Sequence, residues 1–530
     1  MTKNVKKYEW VILFLFLVSA TFYYYGLHLS FWPDPESSGM TLRYYWADKF
    51  GYKISSDNII LSEILASMTY KFFGAGYLGI RLYHSFVYFV VISLTTLLAV
   101  CSLRNQRINW YVLPLFSFLV VILNPGSSEF CGFHTSMYHV YPFDMHTESL
   151  VAALFGYFLM DLVLHKCLSG KVKGIIIVLL IGLIVYKRSD LLFIIGFCIP
   201  MVCIGALRFW KKNEKSLINL ILLVLLAVVI LRAFSIFYEP LRGMFVSGDL
   251  NYGNWTSGGI YGNIGFVEYD NIWNNFSNTI TELLAVFNVE LSGQGILSIN
   301  TLISSVRIAV LVLVLMIAGY YIIVSFHDKN NIDYINTGIS YGIVLNILMV
   351  IFSKYGGDVG CIRYMTMVLF LGTILLCRNA DGIVAKCNLD VSYMKKSVFI
   401  GFLLCICIDI RPAWKDDDYQ AEYEGIFTQI TDTIMDNQLG NGVGGHWFST
   451  NLTALMDGEY AVLEGNYWLS EGGIDLLGCH ADVNYFVEIN GDYRWYSDED
   501  IYHFFGEPDR IYKTEDYQIY YYNDGIKVKE

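Results

Sequence analysis

Two carboxylates, Asp34 and Glu36, stand in the stretch FWPDPESSGM, directly after a long apolar run, with Pro33 and Pro35 on either side of the first. Proline disfavours helix through the residue before it, so the chain is expected to leave the apolar run in an extended conformation. Charge at the end of a membrane span has an ordinary explanation, because it costs little in the interface and much more at depth. Position favours a functional carboxylate instead: the pair lies on the rim of the first span, beside an expected outer helix, in a chain with cations at several other span ends.

Those cations are the second constellation. Arg363 opens a late span in KYGGDVGCIRYMTMVLFLG, and Lys354 closes the one before it. Arg81 begins the second span, and Lys187 and Arg188 fall between the fifth and sixth. Singly, each is explained as a snorkelling anchor. Together they suit an anionic group held at the membrane surface, because Arg offers a bidentate fork to phosphate and Lys a point charge.

Histidine gives a weaker pattern. His134, His139 and His146 occur in FHTSMYHVYPFDMHTES with Glu129, Asp144 and Glu148 nearby. The spacing matches no standard metal motif, so interfacial hydrogen bonding is the plainer reading. No cofactor is fixed by these residues; a divalent cation, Mg or Mn, stays open as a helper in holding a pyrophosphate. In the tail, HWFST and the surrounding aromatics could face a sugar, but aromatics on alternating strands more often form a core.

Positioning these residues is the task of a hydrophobic chain, 55% apolar and 16% aromatic. Its repeated apolar runs match a bilayer core of roughly 30 Å and predict an all-α polytopic membrane protein. We read eleven spans, at 9–29, 81–102, 110–124, 148–165, 174–187, 191–208, 216–238, 304–326, 336–353, 362–378 and 397–411. The first is followed by Tyr23, Tyr24 and Tyr25 rather than a small-residue cleavage site, which favours a retained anchor over a signal peptide.

Basic loops give the orientation. Lys3, Lys6 and Lys7 precede the first span, and even-numbered turns bring Arg104 and Arg107, Lys171 and Lys173, Lys211 and Lys212, then Lys395 and Lys396 to the same side. The positive-inside rule makes that side cytoplasmic. Three outer loops follow, 30–80, 125–147 and 239–303, and the membrane part, 1–411, gives way to an extracytoplasmic domain at 412–530. In the first loop, apolar spacing around Ile60 and Leu65 predicts an interfacial helix near 57–73, ended by Gly74 and Gly76. In the third loop, GNWTSGGIYGNIGFVEYDNIWNNF mixes Gly and Asn with aromatics, which suits irregular backbone lying at the headgroup level or folded against the bundle.

Charge separates the two parts. The last 120 residues hold 7 Lys plus Arg against 24 Asp plus Glu, so the formal charge of −12 belongs to the tail and the remainder is net positive. That excludes nucleic acid as a natural partner. The tail reads as small α/β: a helical acidic segment DDDYQAEYEGIFTQITDTIMDNQ, a Gly-rich turn, alternating residues in HWFSTNLTALMDGEYAVLEG and VNYFVEI, a capped helix in SDEDIYHFFGEPDR, and a strand pair in RIYKTEDYQIYYYND. The eleven cysteines form no CxxC or disulfide framework.

On WPDPES, on YLGIRLYH entering the second span, and on Arg363-Tyr364 in IRYM, the chain resembles the GT-C superfamily of membrane glycosyltransferases, the group of protein O-mannosyltransferases and aminoarabinose transferases. The Asp-Glu pair is split here by Pro35, and no proline follows the Arg-Tyr pair. The resemblance implies a bacterial cell-envelope enzyme that moves a sugar from a polyprenyl-phosphate donor to an extracytoplasmic glycan or protein, with inversion. It further implies Asp34, with Glu36 beside it, as the base, and Arg363, Tyr364, Lys354, Arg81, Lys187 and Arg188 as ligands of the lipid phosphate. A polysaccharide polymerase or ligase is the competing enzyme. A transporter of a lipid-linked or anionic substrate competes as a non-enzyme, but no duplicated halves are visible. A noncatalytic assembly or sensor protein that binds through its tail is a further alternative.

Overall fold

A computed structural model of the chain describes residues 35–51, 60–102, 107–108, 129–130, 133–134, 145–164, 169–187, 190–212, 266–287, 289, 295–327, 333–357, 362–386, 400, 418–445, 448–465, 473–474, 476, 480–490 and 496–528, with isolated positions between 11 and 21. It is mostly helical, with a five-stranded sheet in the tail and two short two-residue strand pairings among the described residues.

The first helix, α1 (Pro35–Phe50), begins at the second proline, and the extended exit expected through Asp34 lies outside the described residues. The restriction that proline imposes falls on the residue before it, whereas proline itself suits the first turn of a helix, where its missing N–H costs nothing. Next comes α2 (Ile60–Phe73), where a helix was anticipated near 57–73. Gly74 ends it at φ +78, with its N–H donated to Tyr70 O at 2.8 Å. Tyr70 Oη also donates to Asp48 Oδ2 at 3.0 Å, which ties α2 to α1. Burial first, and Asp48 next, push the Tyr70 phenol up to about 12, so it stays a donor.

A helical bundle follows: α3 (Tyr77–Val100), α4 (Met145–Leu164), α5 (Gly170–Tyr186) and α6, which joins Leu191–Phe193, a π turn Ile194–Cys198 and Ile199–Lys212. Beyond it lie α7 (Ile272–Val286), α8 (Ile299–His327), α9 (Tyr334–Phe352) and α10 (Ile362–Lys386). Three described helices are long and apolar enough to cross a membrane: Leu78–Ala99, Ile299–His327 and Tyr334–Phe352. Shorter apolar helices cover Leu191–Leu207 and Tyr364–Ala380. The expected spans at 110–124 and 216–238, and all but isolated positions of 9–29 and 397–411, lie outside the described residues. Of the stretch expected to be irregular, 253–265 lie outside the described residues and the last five residues open a helix, α7.

Small residues set the closest approach inside the bundle. Gly338 and Gly342, one turn apart on α9, face α6. A Cβ on Gly342 would lie 2.7 Å from Gly196 O, in the π turn. From α4, the fully buried Tyr157 Oη bonds to Gly196 O at 2.8 Å and Gly338 O at 2.9 Å. One phenol thus bridges the π turn and the start of α9.

The tail carries α11 (Asp418–Asp436), β1 (Gly442–Gly444), α12 (Ser449–Leu455), β2 (Val462–Glu464), β3 (Tyr485–Ile489), α13 (Asp498–Phe505), β4 (Arg510–Lys513) and β5 (Tyr517–Tyr521). The sheet order is β2-β1-β3-β5-β4, parallel across the first three strands and antiparallel across the last two pairings. Ser449–Leu455 form a helix rather than an alternating strand, and Phe448, Ser449 and Thr450 are buried core residues.

Both faces of β3 are covered, as its fully buried sequence requires. On one side Val487 and Ile519 meet Ile430 and Ile434 of α11. On the other, Phe486 and Tyr520 share a cluster with Leu42, Tyr45 and Trp46 of α1. Tyr45 Oη donates to Gly458 O at 2.8 Å, and His480 N–H donates to Phe50 O at 2.7 Å. The first-loop helix therefore completes the core of the tail's sheet.

Ser497 and Asp500 close α13 with a capping box. Bonds from the Ser497 hydroxyl and backbone N–H hold the Asp500 carboxyl below its ordinary range. A depressed carboxyl contributes stability that is present above its unfolded pKa and lost as pH falls through the folded value. Protection of residues 498–505 in hydrogen exchange is expected to fall on acidification through that range, and Ser497→Ala should flatten the dependence. Identical pH profiles for both proteins would refute the assignment.

Candidate functional site

Contacts at the bundle's two ends fix which elements meet. At one end, Arg378 Nη1 of α10 donates to Leu98 O of α3 at 3.0 Å, and its Nε donates to Asn336 Oδ1 of α9 at 2.8 Å. Asn336 Nδ2 reaches Tyr321 Oη of α8 at 3.0 Å, and that phenol donates to Asn379. The starts of α3, α8 and α10 and the end of α9 therefore share the opposite end. On α9, Gly338 approaches Met201 and Ile204, while Gly342 approaches Gly196. Helix α6 thus runs antiparallel to α9 and begins, at Asp190, at that same opposite end.

That end collects much of what the sequence singled out. Glu36 lies in the first turn of α1, Arg81 near the start of α3, His146 in the first turn of α4, and Arg363 and Tyr364 in the first turn of α10. Tyr364 is half-buried and packs against the bundle core. Lys354 is exposed in the short turn Lys354–Gly357 between α9 and α10. His134 is in a two-residue antiparallel pairing, Glu129–Phe130 with Phe133–His134. Asp34, His139, Asp144 and Arg188 lie outside the described residues.

Lys187 differs from the picture of a cation standing open at the surface. It is 3% exposed, with Nζ 3.3 Å from Glu148 Oε1 and 3.3 Å from Asp190 Oδ2. Asp190 in turn accepts from Ser149 Oγ at 2.7 Å and caps α6 through Phe193 N–H at 3.0 Å. A buried cation needs such partners, because its desolvation is otherwise uncompensated. Flanked by two carboxylates, Lys187 presents less positive potential to an anion than its sequence position suggests. Nothing in the sequence signals this pairing, because Glu148 sits on a different helix.

The turn carrying Lys354 is held by α7. Asn275 Nδ2 donates to Ser353 O at 2.7 Å and Ile351 O at 3.2 Å, and Asn278 Nδ2 donates to Gly356 O at 3.3 Å. A Cβ on Gly356 would meet Val350 O at 2.3 Å, so glycine is required there. Sequence reasoning passed over two buried charges: Glu282 of α7, at 4% exposure, and Arg307, early in α8. A lone acid ahead of the apolar run LLAVF was the available signal for Glu282.

Among the described residues no group of three or more His, Cys, Asp or Glu is placed to hold a metal ion. The chain matches no family model, no curated protein and no solved structure. Fold and site together define a helical protein with membrane-length helices and an α/β tail packed on its first-loop helix.

Proposed function

We propose that the chain is a multi-pass membrane glycosyltransferase of the GT-C kind, with about eleven spans, a cytoplasmic N-terminus and an extracytoplasmic tail. It transfers a sugar from a polyprenyl-phosphate donor to a glycan or protein acceptor. The observation that carries this reading is the convergence of α1, α3, α4, α7 and α10 at one end of the bundle. The elements bearing the acidic loop and the cations thereby face a common region, which the basic loops assign to the outer side.

The chemistry follows from the residue types. A carboxylate of the first loop takes the proton of an acceptor hydroxyl as its oxygen bonds to the anomeric carbon. The bond from that carbon to the phosphate oxygen breaks on the opposite face, which inverts the configuration. Negative charge grows on the departing lipid phosphate, where Arg363 and Lys354 stabilise it and Arg81 and Arg188 add to the field. The polyprenyl tail stays in the bilayer, so no nucleotide-binding module is needed.

Donor binding tests the cation half of this proposal. Replacing Arg363 by Gln removes a charged hydrogen bond of about 1.5–3 kcal/mol and should weaken polyprenyl-phosphate binding by roughly 10- to 100-fold. Equal affinity in the two proteins, measured by titration in nanodiscs, would remove Arg363 from the donor site.

A further inference from the structure

The first turns of helix α7 bury polar side chains, Asn275, Thr279 and Glu282, against the bundle, and only its last turn, with Leu283, Ala285 and Val286, buries apolar ones. Its outward side carries Tyr269, in the turn leading into it, then Trp273, Phe276 and Ile280, spaced four, three and four residues apart along one stripe. Tyr269 is 86% exposed and Trp273 75% exposed, and the rings of Trp273 and Phe276 stack at 5.3 Å. A surface helix of a water-soluble protein shows the reverse arrangement.

Several observations say what covers this stripe. The chain runs from α7 through exposed Ile296 and Leu297 into α8, an apolar helix of 29 residues whose most hydrophobic window is only 28% buried. The stripe and the helix best suited to meet lipid are thus neighbours in the chain, with the buried last turn of α7 between them. At 15 residues, α7 spans about 22 Å, too short to cross a hydrocarbon core of roughly 30 Å. Tyr and Trp, with apolar rings and polar tips, favour the headgroup level. Exposed Glu268 and Asp270 at its leading end suit the aqueous edge of that layer.

We propose that α7 lies along the bilayer surface, with the aromatic stripe as its lipid contact and the polar side closing the end of the bundle over the Lys354 turn. This holds whether or not the chain transfers sugar.

The test uses the full chain in phosphatidylcholine nanodiscs, comparing wild type with Trp273→Phe so that the difference in emission reports Trp273. Lipids brominated near the headgroup should quench most of that emission, lipids brominated near the chain end should quench less, and aqueous iodide should have little effect. Tyr269→Trp adds a second reporter on the stripe and is expected to behave alike, which keeps the test decisive if Trp273→Phe folds poorly. Emission quenched by iodide and untouched by bromolipid would overturn the proposal. So would a dimer of the chain that shields Trp273 from both quenchers and separates on Trp273→Ser.

Discussion

Asp34→Asn is expected to slow sugar transfer by about 10²- to 10⁴-fold while leaving donor binding intact, the range by which a positioned general base accelerates proton transfer. Asparagine keeps the shape and loses the ability to take a proton. Asp34 precedes α1 by one residue in the chain, and Glu36 lies in its first turn. A smaller loss is expected for Glu36→Gln. If Glu36→Gln abolished transfer while Asp34→Asn did not, the base would be reassigned within the same loop. Unchanged rates in both would remove the loop from the chemistry, and initial rates at saturating donor separate these outcomes.

The second large effect is structural. Gly342→Ala places a methyl 2.7 Å from the Gly196 carbonyl oxygen, with Tyr157 Oη at 3.1 Å and Leu371 at 3.2 Å. The obstacle is mostly backbone in the π turn, which cannot rotate away, so overpacking should cost about 1–3 kcal/mol. Valine at the same position should cost more. Gly319→Ala on α8 is the control, because a Cβ there meets nothing within 4 Å. Losing a helical glycine should stabilise by roughly 0.5–1 kcal/mol at that position. Unfolding midpoints in detergent should therefore move in opposite directions, and an unmoved midpoint for Gly342→Ala would contradict the packing described for α6 and α9.

Legibility followed the physics of each element. Helix α8 carries a long apolar run after Arg307, and length with hydropathy finds it without help. Helix α13 and the β4–β5 pair were readable because caps and alternation are local. By contrast, α1 contains Pro35, two serines and Gly39 and shows little periodicity; its packing comes from Leu42, Tyr45 and Trp46 against a sheet formed hundreds of residues later. The Pro at its first position was a signal of a start, but the packing partner was not visible. Helix α7 escaped because its first turns bury Asn275, Thr279 and Glu282 and expose Trp273, Phe276 and Ile280, so a search for a buried apolar stripe points them the wrong way.

The candidate site was legible as residue types at span ends and not as geometry. Spacing could suggest that Arg363 and Lys354 approach one end, because they flank a single short turn. It could not show that Lys187 is held by Glu148 and Asp190, or that Asn275 and Asn278 clamp the Lys354 turn from another helix. Those contacts join helices through tertiary packing, which leaves no periodic trace in either segment.

The central claim is tested most directly by offering the purified chain, in nanodiscs, a panel of polyprenyl-phosphate sugars with a hydroxyl-bearing glycan or peptide acceptor and measuring free polyprenyl phosphate. The prediction is acceptor-dependent release with at least one donor, an inverted linkage in the product, and loss of both in Asp34→Asn. Release no greater than that of the Asp34→Asn protein across the whole panel would contradict it.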